Sequence, residues 1–153
     1  MSANNRGSFP PKLQLLIISN NYEGLSWDGS ASDAANNMEL QSTSQDVERL
    51  IRWSTYLNSH YKCVIKNAAK QDIVYALQQA GDTPRVIYFN GHTSAVENSL
   101  SHSFTYWPRD CLTGDDVTPS NGLTSTEILD ILACSQVKNT PILVVTDVNA
   151  ASS

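Results

Sequence analysis

Val86-Ile87-Tyr88-Phe89-Asn90-Gly91-His92 is the stretch on which the fold turns. Four apolar residues stand in a row and give way at once to a polar, glycine-containing segment. Such a run reads as a strand covered on both faces, as strands of a parallel sheet are. His92 is then expected at the carboxyl end of that strand, where ligand sites gather in open α/β sheets.

Working outward, two further runs have the same character. Leu13 to Ser19 holds Leu15, Leu16, Ile17 and Ile18 in succession, and Pro141 introduces Ile142 to Thr146. Tyr61 to Lys66 adds a shorter strand. Helical spacing appears between them: Val47, Leu50, Ile51 and Leu57 predict an amphipathic helix over Asp46 to Asn58, with Ser44 available as its cap. Ile73, Val74 and Leu77 predict a second helix over Lys70 to Gln79, ended by Gly81 and Pro84. Thr124 and Glu127 have capping-box spacing, and Leu123 with Ile128 could staple it, so a third helix should start at Ser125 and end near Cys134. Asn20 to Thr43 reads as a loop with one helical turn near Asp33 to Met38. Thr93 to Gly122 reads as a long loop that could carry a short hairpin. Strands alternating with helices predict an α/β fold, a three-layer α/β/α sandwich with a mostly parallel sheet.

The chain has 153 residues, 41% of them hydrophobic, enough for one domain with a continuous core. Its net charge of −5 comes from scattered acids, which disfavours a phosphate-binding surface, so no nucleic-acid partner is expected. The three cysteines, Cys63, Cys111 and Cys134, form no close pair and fit a reducing compartment. Residues 1–12 are polar and proline-bearing and are expected to be flexible. No apolar run suggests a membrane span or secretory signal, so a cytoplasmic location is the expectation.

Four segments carry a resemblance. Leu15 to Tyr22 is similar to the opening strand of caspases and metacaspases. Leu25-Ser26-Trp27-Asp28-Gly29-Ser30-Ala31-Ser32-Asp33-Ala34 resembles the metacaspase stretch L-x-G-C-x-N-D-A, with serine for both its cysteine and its asparagine. Val86 to His92 resembles the strand leading into S-G-H-G, whose histidine is the catalytic base; its last glycine is Thr93 here. Ile142 to Ser152 looks like the strand and D-x-C-H-S-G segment that delivers the nucleophile, with Asn149 at the cysteine position. The interval from His92 to Asn149, roughly 57 residues, is similar to the caspase histidine-to-cysteine spacing of about 50.

The resemblance implies that residues 13–153 form a caspase-like large-subunit domain, with the small-subunit half absent after Ser153. It also implies that His92 is the base and that Asn149 occupies the nucleophile's place. A cysteine peptidase needs a thiolate to attack the scissile carbonyl and an imidazole to protonate the leaving amine. Asparagine supplies neither, and loss of a nucleophile removes about six orders of magnitude of rate. A pseudoprotease in the setting of programmed cell death, binding a peptide or partner protein, is the resulting expectation.

Asp33 and Asp147 resemble the carboxylates that pair with a basic P1 side chain, and Asn90 and Gly91 flank the same site. The bland reading of the two acids, a turn cap and a backbone acceptor, stands beside it. An active endopeptidase of basic P1 specificity would require a native cysteine at position 149 or another nucleophile, of which Cys111, Ser152 and Ser153 are the candidates. Cys63 and Cys134 read as core residues, and Trp27, Trp53 and Trp107 as packing. Setting the family aside leaves an α/β small-ligand domain, although no glycine-rich phosphate motif names a ligand. No cofactor is called for, and three histidines without metal-ligand spacing do not suggest zinc. An open edge at Ile142 to Thr146 predicts a homodimer, a small-subunit fragment, or a covering loop.

Overall fold

The apolar runs become strands in the computed structural model, which describes residues 13–26, 37–56, 61–79, 81–95, 103–112, 121–135, 137 and 139–150. In chain order the elements are β1 (Gln14–Ser19), α1 (Thr43–Tyr56), β2 (Tyr61–Lys66), α2 (Lys70–Leu77) and β3 (Arg85–Ala95). They are followed by β4 (Phe104–Tyr106), β5 (Leu123–Thr124), α3 (Ser125–Ser135) and β6 (Ile142–Ala150). The fold is α/β. Its sheet is mixed: β2, β1, β3 and β6 run parallel, while β4 and β5 join antiparallel.

β3 is the spine. β1 pairs with it from Arg85 to Asn90 on one edge, and β6 from Arg85 to Thr93 on the other. Past the end of β1, β4 takes over the vacated edge at Thr93 to Ala95. Because side chains alternate across a strand, each run supplies two packing faces. Leu16, Ile18, Ile87 and Phe89 meet Ile73 and Leu77 of α2 and Ile128 and Leu132 of α3. Leu15, Ile17 and Tyr88 meet Val47 of α1, with Leu50 and Ile51 alongside. Each such side chain, when fully buried, contributes about 1.5–3 kcal/mol.

Several boundaries differ from the sequence reading, each for a physical reason. β3 continues six residues beyond Phe89, because the backbone groups of Asn90 and His92 find partners there. The Asn90 carbonyl accepts from the Asn20 N–H at 3.1 Å and the Tyr106 hydroxyl at 2.8 Å, and the His92 carbonyl from the Trp107 N–H at 3.0 Å. His92 therefore sits inside the strand rather than at its end. α1 starts at Thr43, with Ser44 inside the helix instead of capping it. The Ser42 carbonyl accepts from Gln45 and Asp46, and the Thr43 hydroxyl returns to the Leu40 carbonyl. α2 stops at Leu77, with Gln78 as its C-cap.

α3 begins where its capping box placed it. Glu127 accepts from the Thr124 N–H at 2.8 Å, and the Thr124 hydroxyl accepts from the Glu127 N–H at 3.1 Å. These contacts, the backbone one first, lower the Glu127 pKa. The stretch expected to be a long loop contains β4, which pairs with β5 just beyond it. Of the helical turn expected over Asp33 to Met38, the first four residues lie outside the described residues; Asn37 forms an antiparallel bridge with Ser26. No described helix is long and apolar enough to cross a membrane.

Candidate functional site

Where β1 ends, the chain turns through Asn20 and Asn21 into Tyr22, whose φ of 57° is left-handed. This turn drives a fully buried tyrosine beneath β3. Its hydroxyl accepts the backbone N–H of His92 at 2.9 Å and donates to the Trp107 carbonyl at 2.5 Å. Asn20 braces the same corner: its amide donates to Trp107 O at 3.3 Å and its Oδ1 accepts the Ala68 N–H at 2.9 Å. Burial pushes the Tyr22 pKa well up, so the hydroxyl stays protonated and can fill both roles.

His92 is buried, its ring centroid 4.7 Å from that of Tyr22 and 5.8 Å from that of Trp107. Its Nε2 lies 2.6 Å from the Met38 carbonyl. A carbonyl only accepts, so Nε2 carries the proton, and in the neutral ring Nδ1 holds the lone pair. Met38 is itself fixed, its N–H bonded to the Leu25 carbonyl and Leu40 N–H bonded to Asn21 O. A base whose tautomer is set by a third group is the arrangement nucleophilic catalysis uses.

Across the ladder, His92 is the register partner of Asn149, Gly91 of Val148 and Asn90 of Asp147. Adjacent strands are about 4.8 Å apart, so the sheet brings the expected base and position 149 together although they are far apart in sequence. What stands there is an asparagine, which cannot attack a carbonyl.

Two register steps away, Asp147 is exposed and its Oδ2 accepts the Tyr88 hydroxyl at 2.7 Å. Burial first, and then this bond to the carboxylate, raises the Tyr88 pKa. Asn90 is 5% exposed, and its Oδ1 has no hydrogen-bond partner among the described residues. The exposed Asp147 carboxylate is an acceptor suited to an ammonium or guanidinium donor, whereas the oxygen of its register partner Asn90 is closed off from solvent.

Gly91 serves packing. A Cβ there would lie 2.6 Å from the Tyr22 hydroxyl and 2.8 Å from that of Tyr106. Asp33, His60 and His102 lie outside the described residues.

Cys111 packs with Tyr22, Met38 and Trp107, and burial pushes its thiol up to about 11. The thiolate is the reactive form, so this cysteine is inert near neutral pH. Cys134 is exposed rather than in the core, because its side of α3 turns away from the sheet; Trp53 is likewise half exposed on α1. No group of three or more metal-ligating side chains occurs among the described residues.

Sequence reasoning missed Tyr22, Met38 and Trp107 as parts of this site. Two of the three act through backbone carbonyls, which no residue type advertises; Tyr22 was visible only as the end of the opening strand motif. In comparison with known proteins, the chain matches no family model and no curated sequence.

Proposed function

We propose that this chain is a caspase/metacaspase-like domain that retains the family's histidine but no nucleophile, and that it binds a peptide or partner protein without cleaving it. One observation carries the reading: His92, with its tautomer set by the Met38 carbonyl, is the register partner of Asn149 on the adjacent parallel strand. This juxtaposition favours the pseudoprotease over a small-ligand domain, in which nothing requires those two positions to meet. The strand order β2-β1-β3-β6 supports it, as does the placement of α1 against one set of sheet residues and α2 with α3 against the other, the basis of a three-layer α/β/α sandwich. The inert Cys111 thiol weighs against an active peptidase with a displaced nucleophile.

In this reading Asp147, held by Tyr88, receives an arginine or lysine side chain, and Asn90 belongs to the same site as its buried register partner. The family resemblance also assigns Asp33 and Gly91 to the peptide site, and the cytoplasm is its setting. The test is titration calorimetry with a blocked arginyl tetrapeptide and its citrulline counterpart. The arginyl peptide should bind at least tenfold more tightly, and Asp147→Asn should abolish the difference. Equal affinity of the two peptides for the unaltered chain would overturn the basic-peptide reading.

A further inference from the structure

At the end of the sheet remote from His92, Arg85 opens β3. The two are seven residue steps apart along the strand, roughly 23 Å at 3.3 Å per residue. The Arg85 residue is 4% exposed. Its guanidinium donates to the Leu77 carbonyl at 3.3 Å and to the Ala76 carbonyl at 3.2 Å, at the C-terminal end of α2. Among the described residues it has no carboxylate partner. Burial without a counter-charge lowers its pKa.

Two carbonyls at the end of an eight-residue helix occupy two of five guanidinium donors and bring only a partial negative charge. Buried cations are ordinarily paired with a full one. Beside Arg85 lies a cavity of about 330 Å³ between α2 and the β1–β2 edge, walled by Leu16, Cys63, Ile65 and Ala76. Its size and apolar lining suit a small organic ligand, with Arg85 as the polar group that orients it. Exposed Asp72 also lines the cavity, and the chain carries a net charge of −5. Both select against multiply charged anions.

We propose that this cavity binds a small amphipathic monocarboxylate, its carboxylate on Arg85 and its hydrocarbon body against Leu16, Cys63 and Ile65. Such a ligand supplies the missing counter-charge and fills the apolar space at once. The site is independent of the peptide-binding reading, because no residue is shared between them.

Hexanoate and its neutral isostere hexanamide are the probes, titrated by calorimetry and followed by thermal denaturation. Hexanoate should bind saturably, raise the melting temperature, and bind at least tenfold more tightly than hexanamide. Arg85→Met should reduce hexanoate to the level of hexanamide. Should that variant fail to fold, Cys63→Phe keeps the test decisive: it fills the cavity, leaves Arg85 in place, and should abolish binding while circular dichroism stays unchanged. Absence of saturable hexanoate binding, equal affinity for the two probes, or undiminished binding by Cys63→Phe would each overturn the proposal.

Discussion

The backbone N–H of His92 ends on the hydroxyl of Tyr22, 2.9 Å away, and that hydroxyl passes its own proton toward the carbonyl of Trp107. One side-chain oxygen thus joins the end of β1, the middle of β3 and the segment after β4. The position of the imidazole depends on it.

Tyr22→Phe keeps the ring and removes both bonds. It strands a buried N–H, and destabilisation of about 1–3 kcal/mol is expected. Urea unfolding followed by far-ultraviolet circular dichroism measures it; a change within 0.5 kcal/mol, roughly the range of a surface substitution, would mean that water satisfies these groups.

Alkaline pH should unfold the protein early and steeply. Tyr22 and Tyr106 are both held protonated by burial, and Tyr88 by burial and its bond to Asp147. Above a pH of about 10 the unfolded chain loses these protons while the folded chain keeps them. Stability is therefore complete below that pH and falls as pH rises, by about 1.4 kcal/mol per pH unit for each fully buried tyrosine. Cys111, raised to about 11, starts the decline from near its ordinary value of 9.0. Melting temperatures from pH 8 to 11 test this, and a flat profile through pH 10.5 would contradict it.

Gly91→Ala should be more damaging than its size suggests. The new methyl would meet the hydroxyls of Tyr22 and Tyr106 at 2.6 and 2.8 Å, and the Tyr106 ring at 2.9 Å. Both rings are buried and cannot retreat, so overpacking of about 1–3 kcal/mol is expected. Chemical denaturation reads it directly; a neutral substitution would show that the tyrosines have room to move.

Much of this was legible in the sequence, and the rest was not, for identifiable reasons. Continuous apolar runs announced β1 and the start of β6, and the reciprocal Thr124–Glu127 pair located the first residue of α3. The reading of β3 stopped too soon at Phe89, because Asn90, Gly91 and His92 look like a turn until Tyr22, Tyr106 and β6 satisfy their backbone. Asp147 and Asn149 were placed after a strand for the same reason. The Met38 carbonyl left no trace in residue identity, since any amino acid could supply it. Tyr88 was read only as an apolar strand residue, although its hydroxyl is what holds Asp147.

The free edge of β6 carries its own expectation. Among the described residues β6 pairs with β3 alone, and Leu143 and Val145 on it are 58% and 37% exposed. The opposite edge strand, β2, contains Lys62 and Lys66, whereas β6 contains no lysine or proline to oppose pairing. Sedimentation velocity should show concentration-dependent association, with Leu143→Lys moving its midpoint at least tenfold higher. Monomeric behaviour of the unaltered chain across the accessible range would count against self-pairing through this edge.

The most direct measurement compares turnover of fluorogenic arginyl and lysyl peptides by the unaltered chain, by Asn149→Cys, and by Asn149→Cys combined with His92→Ala. The account predicts silence from the first, activity at least about a thousandfold above it from the second, a fraction of the roughly millionfold that a nucleophile supplies, and loss of that activity in the third. Turnover by the unaltered chain, or activity of the cysteine variant that survives removal of His92, would contradict it.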